Sequence, residues 1–263
     1  MLAQQARRRF ASKSMTDPSD VVALQPSHPA AQDGRTVYPS TVVSAEASPR
    51  LLVSGFNSRK IGSHVTKGAW AGMPIYTLTL EERATCPRSC AHWLDCYGNA
   101  MHFARRHDSG PALEARLSAE LAHLAAQHPA GFVVRLHVLG DFYSVGYVGR
   151  WHTWLRQFKA LHVFGYTANS RATAIGANVE ALNILFPDRW VVRFSGQLRE
   201  MGAVTIYHHP NQPRIAEGIV CPAMTGATTC CGACGLCWAE TAKKDCIVFI
   251  AHGKKRRGVA RAA

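Results

Sequence analysis

The sequence has no long apolar run. Arg, His, Gly or Asp interrupts each hydrophobic stretch within about ten residues, whereas a membrane-spanning helix needs about 18 apolar residues in succession. The basic start, with no acidic residue before Asp17, is similar to a transit peptide but lacks the apolar segment of a secretory signal. We therefore expect a soluble, cytoplasmic protein with no membrane partner.

Acidic residues are also scarce. The chain has 17 Asp and Glu against 30 Lys and Arg, a net charge of +13, and nine of the positive charges lie within residues 1–14 and 252–263. Basic ends of this kind can neutralise nucleic-acid phosphates, or they can be solvated ends that aid solubility. Nucleic acid is thus one expected partner, bound through the ends of the chain.

Composition divides the chain into three parts. Residues 1–48 are rich in Pro, Ser, Ala, Gln and Asp and lack a sustained apolar period. Such a segment buries too little apolar surface to offset the entropy of ordering, so we expect a disordered, flexible arm there. Residues 49–253 are expected to form a single α/β metal-binding domain, and residues 254–263 a basic tail.

Hydrophobic periodicity predicts strands that alternate with helices. Leu113, Leu117, Leu121 and Leu124 recur at helical spacing within residues 111–128, which begin with a Pro suited to a first helical turn. The expected strands are 74–80, 132–138, 161–166, 190–195, 204–207 and 247–250, with further helices around 151–158 and 175–186. This alternation favours parallel βαβ units, and an open or partial parallel (β/α) barrel fits it best. Functional sites of such folds lie at the carboxyl ends of the strands.

Cysteine is abundant, with nine residues in a chain expected in a reducing compartment, where tight spacings favour metal ligands over disulfides. Cys231, Cys234 and Cys237 are spaced as in ferredoxins, which favours a 4Fe-4S cluster, with zinc as the alternative metal. Cys221 is the expected fourth ligand, and Cys230 is the alternative to it. The glycines between these cysteines suit a backbone that turns around a ligand.

An earlier group of metal-ligand candidates, Cys86, Cys90 and Cys96, follows a predicted strand. Three thiolates leave one iron of a cluster open, and an open iron can bind a cofactor through oxygen and nitrogen atoms. His92 is an alternative fourth ligand that would close the site and make it structural. Cys246 belongs to neither group, and we expect it to be a buried core thiol.

A third motif, from Arg135 to Tyr143, combines a buried strand with polar residues. Strand alternation places Arg135 and His137 on one face. Arg135 could there bind a ligand carboxylate or phosphate, or it could form a salt bridge with a neighbouring strand. Asp141, after Gly140 at the strand end, could accept a hydrogen bond from a ligand or cap the next helix. Three further candidates lie on later strands: Tyr166, Arg193 and Ser195. Asp141 and Tyr166 are the candidate catalytic residues. The candidate cofactor contacts are Arg135, His137, Gly140, Asp141, Arg193 and Ser195.

These motifs together resemble the phage gene-product-88 family, small proteins of phages and bacterial genomes. The resemblance spans about residues 51–253 and leaves both ends uncovered. It rests on Thr85-Cys86-Pro87, Cys96-Tyr97, the Arg-x-His-x-x-Gly-Asp-Phe-Tyr stretch at 135–143, Cys221-Pro222, and Cys231-x2-Cys234-Gly-Leu-Cys237-Trp238. The family name implies no particular reaction.

The order of the sites is also similar to that of radical S-adenosylmethionine enzymes, in which a three-cysteine cluster follows the first strand of a partial barrel. This resemblance implies that Cys86, Cys90 and Cys96 hold a cluster whose open iron binds the amino and carboxylate groups of the cofactor. Gly140 and Asp141 would lie beside the amine. The spacing here is Cys-x3-Cys-x5-Cys rather than Cys-x3-Cys-x2-Cys, and an Asp replaces the usual aromatic residue before the third cysteine.

Two functions are expected from these features. The first is an iron-sulfur redox enzyme of the radical S-adenosylmethionine type, with one open cluster, one auxiliary cluster and an external electron donor. The second is a zinc- or cluster-stabilised, nucleic-acid-associated phage or bacterial protein without catalysis. A scaffold for a phage or host interaction is a third interpretation that the sequence leaves open.

Overall fold

The computed structural model describes residues 42–93, 96–101, 103–206 and 218–250, together with Gln32. The basic ends and most of the expected arm lie outside these residues. The strands described are β1 (Val42–Val43), β2 (Val53–Ser54), β3 (Ile75–Thr77), β4 (Arg106–His107), β5 (Phe132–Leu136), β6 (Leu161–Thr167), β7 (Trp190–Ser195), β8 (Gly202–Ile206), β9 (Ile219–Val220) and β10 (Ile247–Ile250). The α-helices are α1 (Pro111–Gln127), α2 (Val145–Gln157), α3 (Ala174–Leu185), α4 (Pro222–Thr225) and α5 (Cys231–Cys234). None of these described helices has the length and apolar character that a membrane span requires.

Eight of the strands form one sheet in the order β2-β3-β5-β6-β7-β8-β10-β9. Every neighbouring pair is parallel except β2 and β3, which are antiparallel. The strands β1 and β4 form a separate parallel pair. From β5 to β8, each connection moves the chain one strand further in the same direction. The fold is therefore mixed α/β with a mostly parallel, open sheet, and the described strands close no barrel.

The three long helices, α1 to α3, pack on one face of this sheet. α1 begins at Pro111, which lacks an N–H but needs none in a first turn, and buries the four leucines spaced for a helix. The Ser144 hydroxyl caps α2 by accepting a hydrogen bond from Tyr147 N (3.0 Å), and Thr173 caps α3 in the same way. The three helices share one core with alternate residues of β5, β6 and β7. The opposite face of the sheet is left to the loops.

The late cysteine segment, residues 231–238, covers part of that opposite face. Val133, Phe164 and Val191 alternate onto it and pack with Trp70 and Trp238. The rings of Trp70 and Trp238 stack with centroids 5.2 Å apart and planes 6° from parallel, and Trp238 also meets Phe164 at 4.5 Å. Because Trp238 directly follows the last cysteine of its group, this aromatic packing holds the segment against the strands.

Most expected elements are present with small changes at their ends. Strands 190–195 and 247–250 have the predicted boundaries, and strand 161–166 extends by one residue. The strand expected over 204–207 begins earlier, at Gly202, and its last predicted residue lies outside the described residues. These segments are strongly apolar, so the local pattern was sufficient to place them.

Two strands are shorter than their sequence pattern. β3 keeps three residues of the predicted 74–80, and β5 ends at Leu136 instead of continuing to Val138. The chain stays close to its neighbour after both strands, because Leu78 N donates to Arg135 O (3.2 Å) and Val138 N donates to Leu78 O (2.8 Å). The regular ladder is nevertheless lost, which changes the direction of the side chains that follow β5.

Part of the expected flexible arm is packed against the domain. β1 lies within residues 1–48, pairs with β4, and is followed by the buried Ala45 and Ser48. Ser48 Oγ lies 3.1 Å from His107 Nδ1 on β4. The expectation is wrong for residues 42–48, because pairing with a distant strand supplies hydrogen bonds that local composition does not reveal.

Candidate functional site

The first cysteine group, Cys86, Cys90 and Cys96, lies in the connection between β3 and β4. Burial raises the pKa of Cys86 well above its usual value, and the charges of Asp141, Cys90 and Cys96 raise it further. Burial, and then the charge of Glu82, raise the pKa of Cys96 to about 11. The charges of Cys90 and Cys96 therefore reach Cys86, and the carboxylates of Asp141 and Glu82 act on Cys86 and Cys96.

A buried ion network supports this loop. Arg106 on β4 is fully buried and donates from Nε to Glu82 Oε2 at 2.6 Å. Its other nitrogens donate to the carbonyls of Gly98, Met101 and Ala104. An arginine bound to one carboxylate and three carbonyls restricts the loop to one shape. Sequence reasoning missed this pair, because Glu82 and Arg106 are 24 positions apart and belong to no motif.

Arg83 connects this network with the thiols. Its Nη2 donates to Asn99 Oδ1 at 2.7 Å, and its Nη1 lies 3.8 Å from Glu82 Oε1. Its φ of +65° is uncommon for a residue with a side chain. Burial raises the pKa of Cys86, and a hydrogen bond from the Arg83 backbone opposes part of that rise. The unusual turn thus directs a donor toward a candidate metal ligand.

Gly140 and Asp141 lie directly beyond β5 and contact the first cysteine loop. Gly140 has a φ of +83°, and a Cβ there would lie 2.6 Å from both Leu80 Cβ and Thr85 Oγ1. Glycine is required at this position for both reasons. Asp141 N donates to Thr85 Oγ1 at 3.0 Å, so the loop docks beyond β5 through the residue that precedes Cys86.

The carboxylate of Asp141 is bound by groups of this chain. Oδ1 accepts from Phe142 N and Thr167 Oγ1, each at 2.7 Å, and Oδ2 accepts from Ala168 N at 2.6 Å. Burial raises the pKa of Asp141 to about 6 against these hydrogen bonds. Asp141 therefore ties the end of β5 to the end of β6. The capping alternative is wrong, because Ser144 caps the next helix.

The second cysteine group gathers four thiols around one cavity. This space is lined by Cys221, Cys231, Cys234 and Cys237. Burial, and then the charge of Cys237, raise the pKa of Cys231 to about 12. The four residues come from two separate segments of the chain, so only the fold brings them together.

Of the two candidates for the fourth thiol, Cys221 lines this cavity and Cys230 does not. Cys230 instead faces Gly62, where an added Cβ would lie 2.7 Å from the Cys230 Sγ. Cys246, directly before β10, is 5% exposed and has its Sγ 3.5 Å from Gln197 O. It is a buried thiol, as the sequence predicts.

Contacts with an earlier loop hold the second group in place. Gly232 N donates to Ile61 O (2.9 Å), and Gly232 O accepts from Thr66 N (3.0 Å). A Cβ on Gly232 would lie only 2.1 Å from His64 O. This glycine, expected to help the backbone turn around a ligand, is therefore required for close packing of two backbone segments.

Tyr166 and Arg135 lie beside the second group. The Tyr166 hydroxyl donates to Cys237 Sγ at 2.8 Å. The Arg135 guanidinium lies over the rings of Tyr166 and Phe164, 4.9 Å and 5.5 Å from their centroids. The guanidinium also donates from Nη1 to His137 O at 3.4 Å, and its charge is attracted to the faces of both rings.

Arg193 is fully buried next to the same group. Its Nε donates to Cys237 O (2.9 Å), and its Nη atoms donate to Ala242 O (2.8 Å) and Asp245 O (2.9 Å). These bonds give Arg193 a positioning role in the late cysteine segment, and its expected anion contact stays a prediction. Ser195, two residues further along β7, is half-buried.

His137 does not share a face with Arg135, so this part of the sequence prediction is wrong. Regular pairing of β5 ends at Leu136. The imidazole of His137 packs instead against Phe142 and Tyr147, with ring centroids 4.8 Å and 5.8 Å away, and its Nε2 lies 3.2 Å from Tyr147 Oη. Its Nδ1 is buried and has no hydrogen-bond partner in the described part of the chain.

We expect His137→Phe to make folding less sensitive to acid. Burial, and then Arg135, lower the pKa of His137 from 6.5 to about 3. As the pH falls below 6.5, protons therefore bind the unfolded chain first, and stability is lost progressively toward pH 3, by up to about 1.4 kcal/mol per pH unit. Urea midpoints at pH 7, 6 and 5 should decline less steeply in the variant. The exposed His123, changed to Phe, is the control, and an unchanged slope in His137→Phe would contradict the expectation.

Both cysteine groups lie near the carboxyl-terminal ends of the central strands. The first docks beyond β5 through Thr85, and the second meets Tyr166 near the end of β6. His92 in the first loop reaches β8, where its Nε2 lies 3.1 Å from Thr205 Oγ1. That contact involves one imidazole nitrogen, and a ligand role for His92 stays a prediction. Parallel α/β folds bind their ligands at this edge of the sheet.

The seven predicted cysteine ligands thus fall into two groups, with Asp141 beside the first and Arg135 and Tyr166 beside the second. Comparison of the chain with protein-family models, with curated proteins and with solved structures finds no match. The chemistry of these groups therefore follows from their own residues and geometry.

Proposed function

We propose that this protein is an iron-sulfur enzyme of the radical S-adenosylmethionine type, with an open cluster at Cys86, Cys90 and Cys96 and an auxiliary cluster at the second cysteine group. The observation that carries the proposal is the gathering of seven thiols into two groups at the ligand-binding edge of a parallel sheet. An open cluster, when bound, supplies one electron for the reductive cleavage of the cofactor.

The one-sided packing of the helices supports a partial barrel. α1 to α3 cover one face, and Arg135, Tyr166 and Arg193 lie on the other face with the late cysteine segment. Barrel enzymes have helices outside and functional side chains at the carboxyl ends of the strands. The proposed relationship to radical S-adenosylmethionine enzymes and to the phage gene-product-88 family agrees with this arrangement.

The donor set of the second group supports an iron-sulfur cluster, with zinc as the alternative metal. Four cysteines, Cys221, Cys231, Cys234 and Cys237, line one cavity. Four thiolates are the ligands that a 4Fe-4S cluster takes, and the last three have the spacing of ferredoxin ligands. A zinc ion can also bind four cysteines, so the metal content decides between the two.

Arg135 is the residue best placed to bind an anionic group of the cofactor or substrate. Its charge lowers the pKa of both Cys231 and Cys237, against the larger effect of burial, so it lies close to the second group. No ion pair among the described residues includes it. A carboxylate or phosphate would supply a charged partner.

Asp141 is better suited to holding the ends of β5 and β6 than to proton transfer, because its oxygens already accept hydrogen bonds.

The test is the iron, sulfide and zinc content of anaerobically purified protein, with absorption and EPR spectra before and after dithionite and S-adenosylmethionine. We expect about eight irons per chain, broad absorption near 400 nm, and an EPR change on adding the cofactor. Protein with Cys231→Ala and Cys234→Ala together keeps only two of the four thiols and should lose about half of the iron. Cys230→Ala, a neighbouring thiol outside the cavity, should keep it.

Colourless protein with stoichiometric zinc would overturn the proposal and favour the nucleic-acid-associated alternative. Affinity for nucleic acid should then fall steeply with salt, and removal of the basic ends should flatten that dependence, because counterion release scales with the number of phosphates bound.

A further inference from the structure

The second cysteine group lies in a cationic environment. The buried Arg193 donates to the carbonyl of Cys237 at 2.9 Å, and Arg135 lies over the ring of Tyr166, whose hydroxyl contacts the same cysteine. Neither guanidinium forms an ion pair with a carboxylate of the described residues. The positive charge of both arginines is therefore available to an anionic group at the second site.

The first group lies in a more balanced environment. Glu82 and Asp141 are buried carboxylates beside its thiols, with 0% and 3% of their surfaces exposed. Arg106 binds Glu82 directly, and Arg83 lies 3.8 Å from it. Two carboxylates therefore offset these two guanidinium groups, which leaves Arg88, between Cys86 and Cys90 in the chain, as the further cation of the first loop.

The donors to sulfur are a second difference, because Gly98 N lies 3.4 Å from Cys96 Sγ in the first group, whereas the Tyr166 hydroxyl lies much closer to Cys237 Sγ in the second. A reduced cluster carries one more negative charge than an oxidised one, and part of that charge resides on the ligand sulfurs. A donor 2.8 Å from Cys237 Sγ stabilises the reduced form more than the oxidised form. Net charge and hydrogen bonds to sulfur are two of the properties that set the potential of a cluster.

We infer that the second cysteine group holds the more oxidising of the two clusters, and that the Tyr166 hydroxyl raises its potential through Cys237. The inference deepens the proposed function and rests on it, because it requires a cluster at each group. One electron added by an external reductant reduces the second cluster before the first, and no bond forms or breaks in that step.

The test is a redox titration with dithionite, followed by EPR. The double variant Cys231→Ala/Cys234→Ala leaves only the first cluster and Cys90→Ala leaves only the second, so each midpoint potential is measured by itself. We expect the higher midpoint in Cys90→Ala. In the Cys90→Ala background, Tyr166→Phe should lower that midpoint, because it removes the donor but keeps the ring. Tyr143→Phe is the matched control, since the Tyr143 hydroxyl binds Glu114 (2.9 Å) and not a cysteine.

Each outcome has a separate meaning. An equal or higher midpoint for the first cluster would overturn the order of potentials. An unchanged midpoint in Tyr166→Phe, or an equal shift in Tyr143→Phe, would overturn the role of the hydroxyl and leave the iron-sulfur assignment intact. A parent protein without iron at the second group would overturn the proposed function together with this inference.

Discussion

Cys90→Ala protein is expected to form no methionine from S-adenosylmethionine under dithionite and to hold about half of the iron of the parent protein. The change leaves the first group with two thiols, Cys86 and Cys96, which are too few to retain a cluster with one open iron. The four thiols that line the second cavity are unaffected. Turnover should therefore be abolished while the second cluster stays in place.

The matched control is Cys246→Ala, which removes a buried thiol that belongs to neither group. This variant should keep its iron and its turnover, with a modest loss of stability from the small cavity it creates. Methionine formation is measured under anaerobic conditions, together with iron content. Unchanged turnover in Cys90→Ala would contradict the assignment of the first group as the open-cluster site.

Glu82→Gln is expected to lower the free energy of unfolding by about 3–5 kcal/mol. The side chains of Glu82 and Arg106 are 1% and 0% exposed, and Arg106 Nε lies 2.6 Å from Glu82 Oε2. A neutral amide would leave the buried guanidinium without its counter-charge, although its bonds to carbonyls would persist. Because this pair supports the first cysteine loop, the variant should also lose iron from that group.

The control for this prediction is Glu180→Gln, which makes the same chemical change in a more exposed ion pair. Glu180 Oε1 lies 2.8 Å from Arg171 Nε, and its side chain is 40% exposed. Its loss should cost less than about 1 kcal/mol, because solvent screens the pair. Urea denaturation of both variants gives the comparison. A cost for Glu82→Gln as small as that for Glu180→Gln would show that the carbonyl bonds of Arg106 are sufficient.

Elements with a strong local pattern could be predicted from the sequence. The four leucines of α1 and the apolar run of β7 specify a helix and a buried strand by periodicity alone. The spacing of Cys231, Cys234 and Cys237 likewise places three thiols within a few residues of one another. In each case the information lies within one short segment of chain.

Contacts between distant segments could not be predicted in this way. The Glu82–Arg106 pair carries no motif, and His137 turned to the helix-covered face because the β5 ladder stopped one residue before it. The pairing of β1 with β4 removed residues 42–48 from the expected arm. Each of these outcomes depends on a partner that lies far away along the chain.

The amino-acid sequence by itself determined that the chain alternates strands with helices and carries closely spaced thiols in two places, because periodicity and spacing are properties of short segments. Only the tertiary structure decided that Cys221, and not Cys230, joins the second group, and that Tyr166 meets Cys237 from 71 positions away. Those choices depend on how the late cysteine segment docks on the open face of the sheet. That docking is set by close packing at Gly232 and by the stacking of Trp70 on Trp238, which no local pattern encodes.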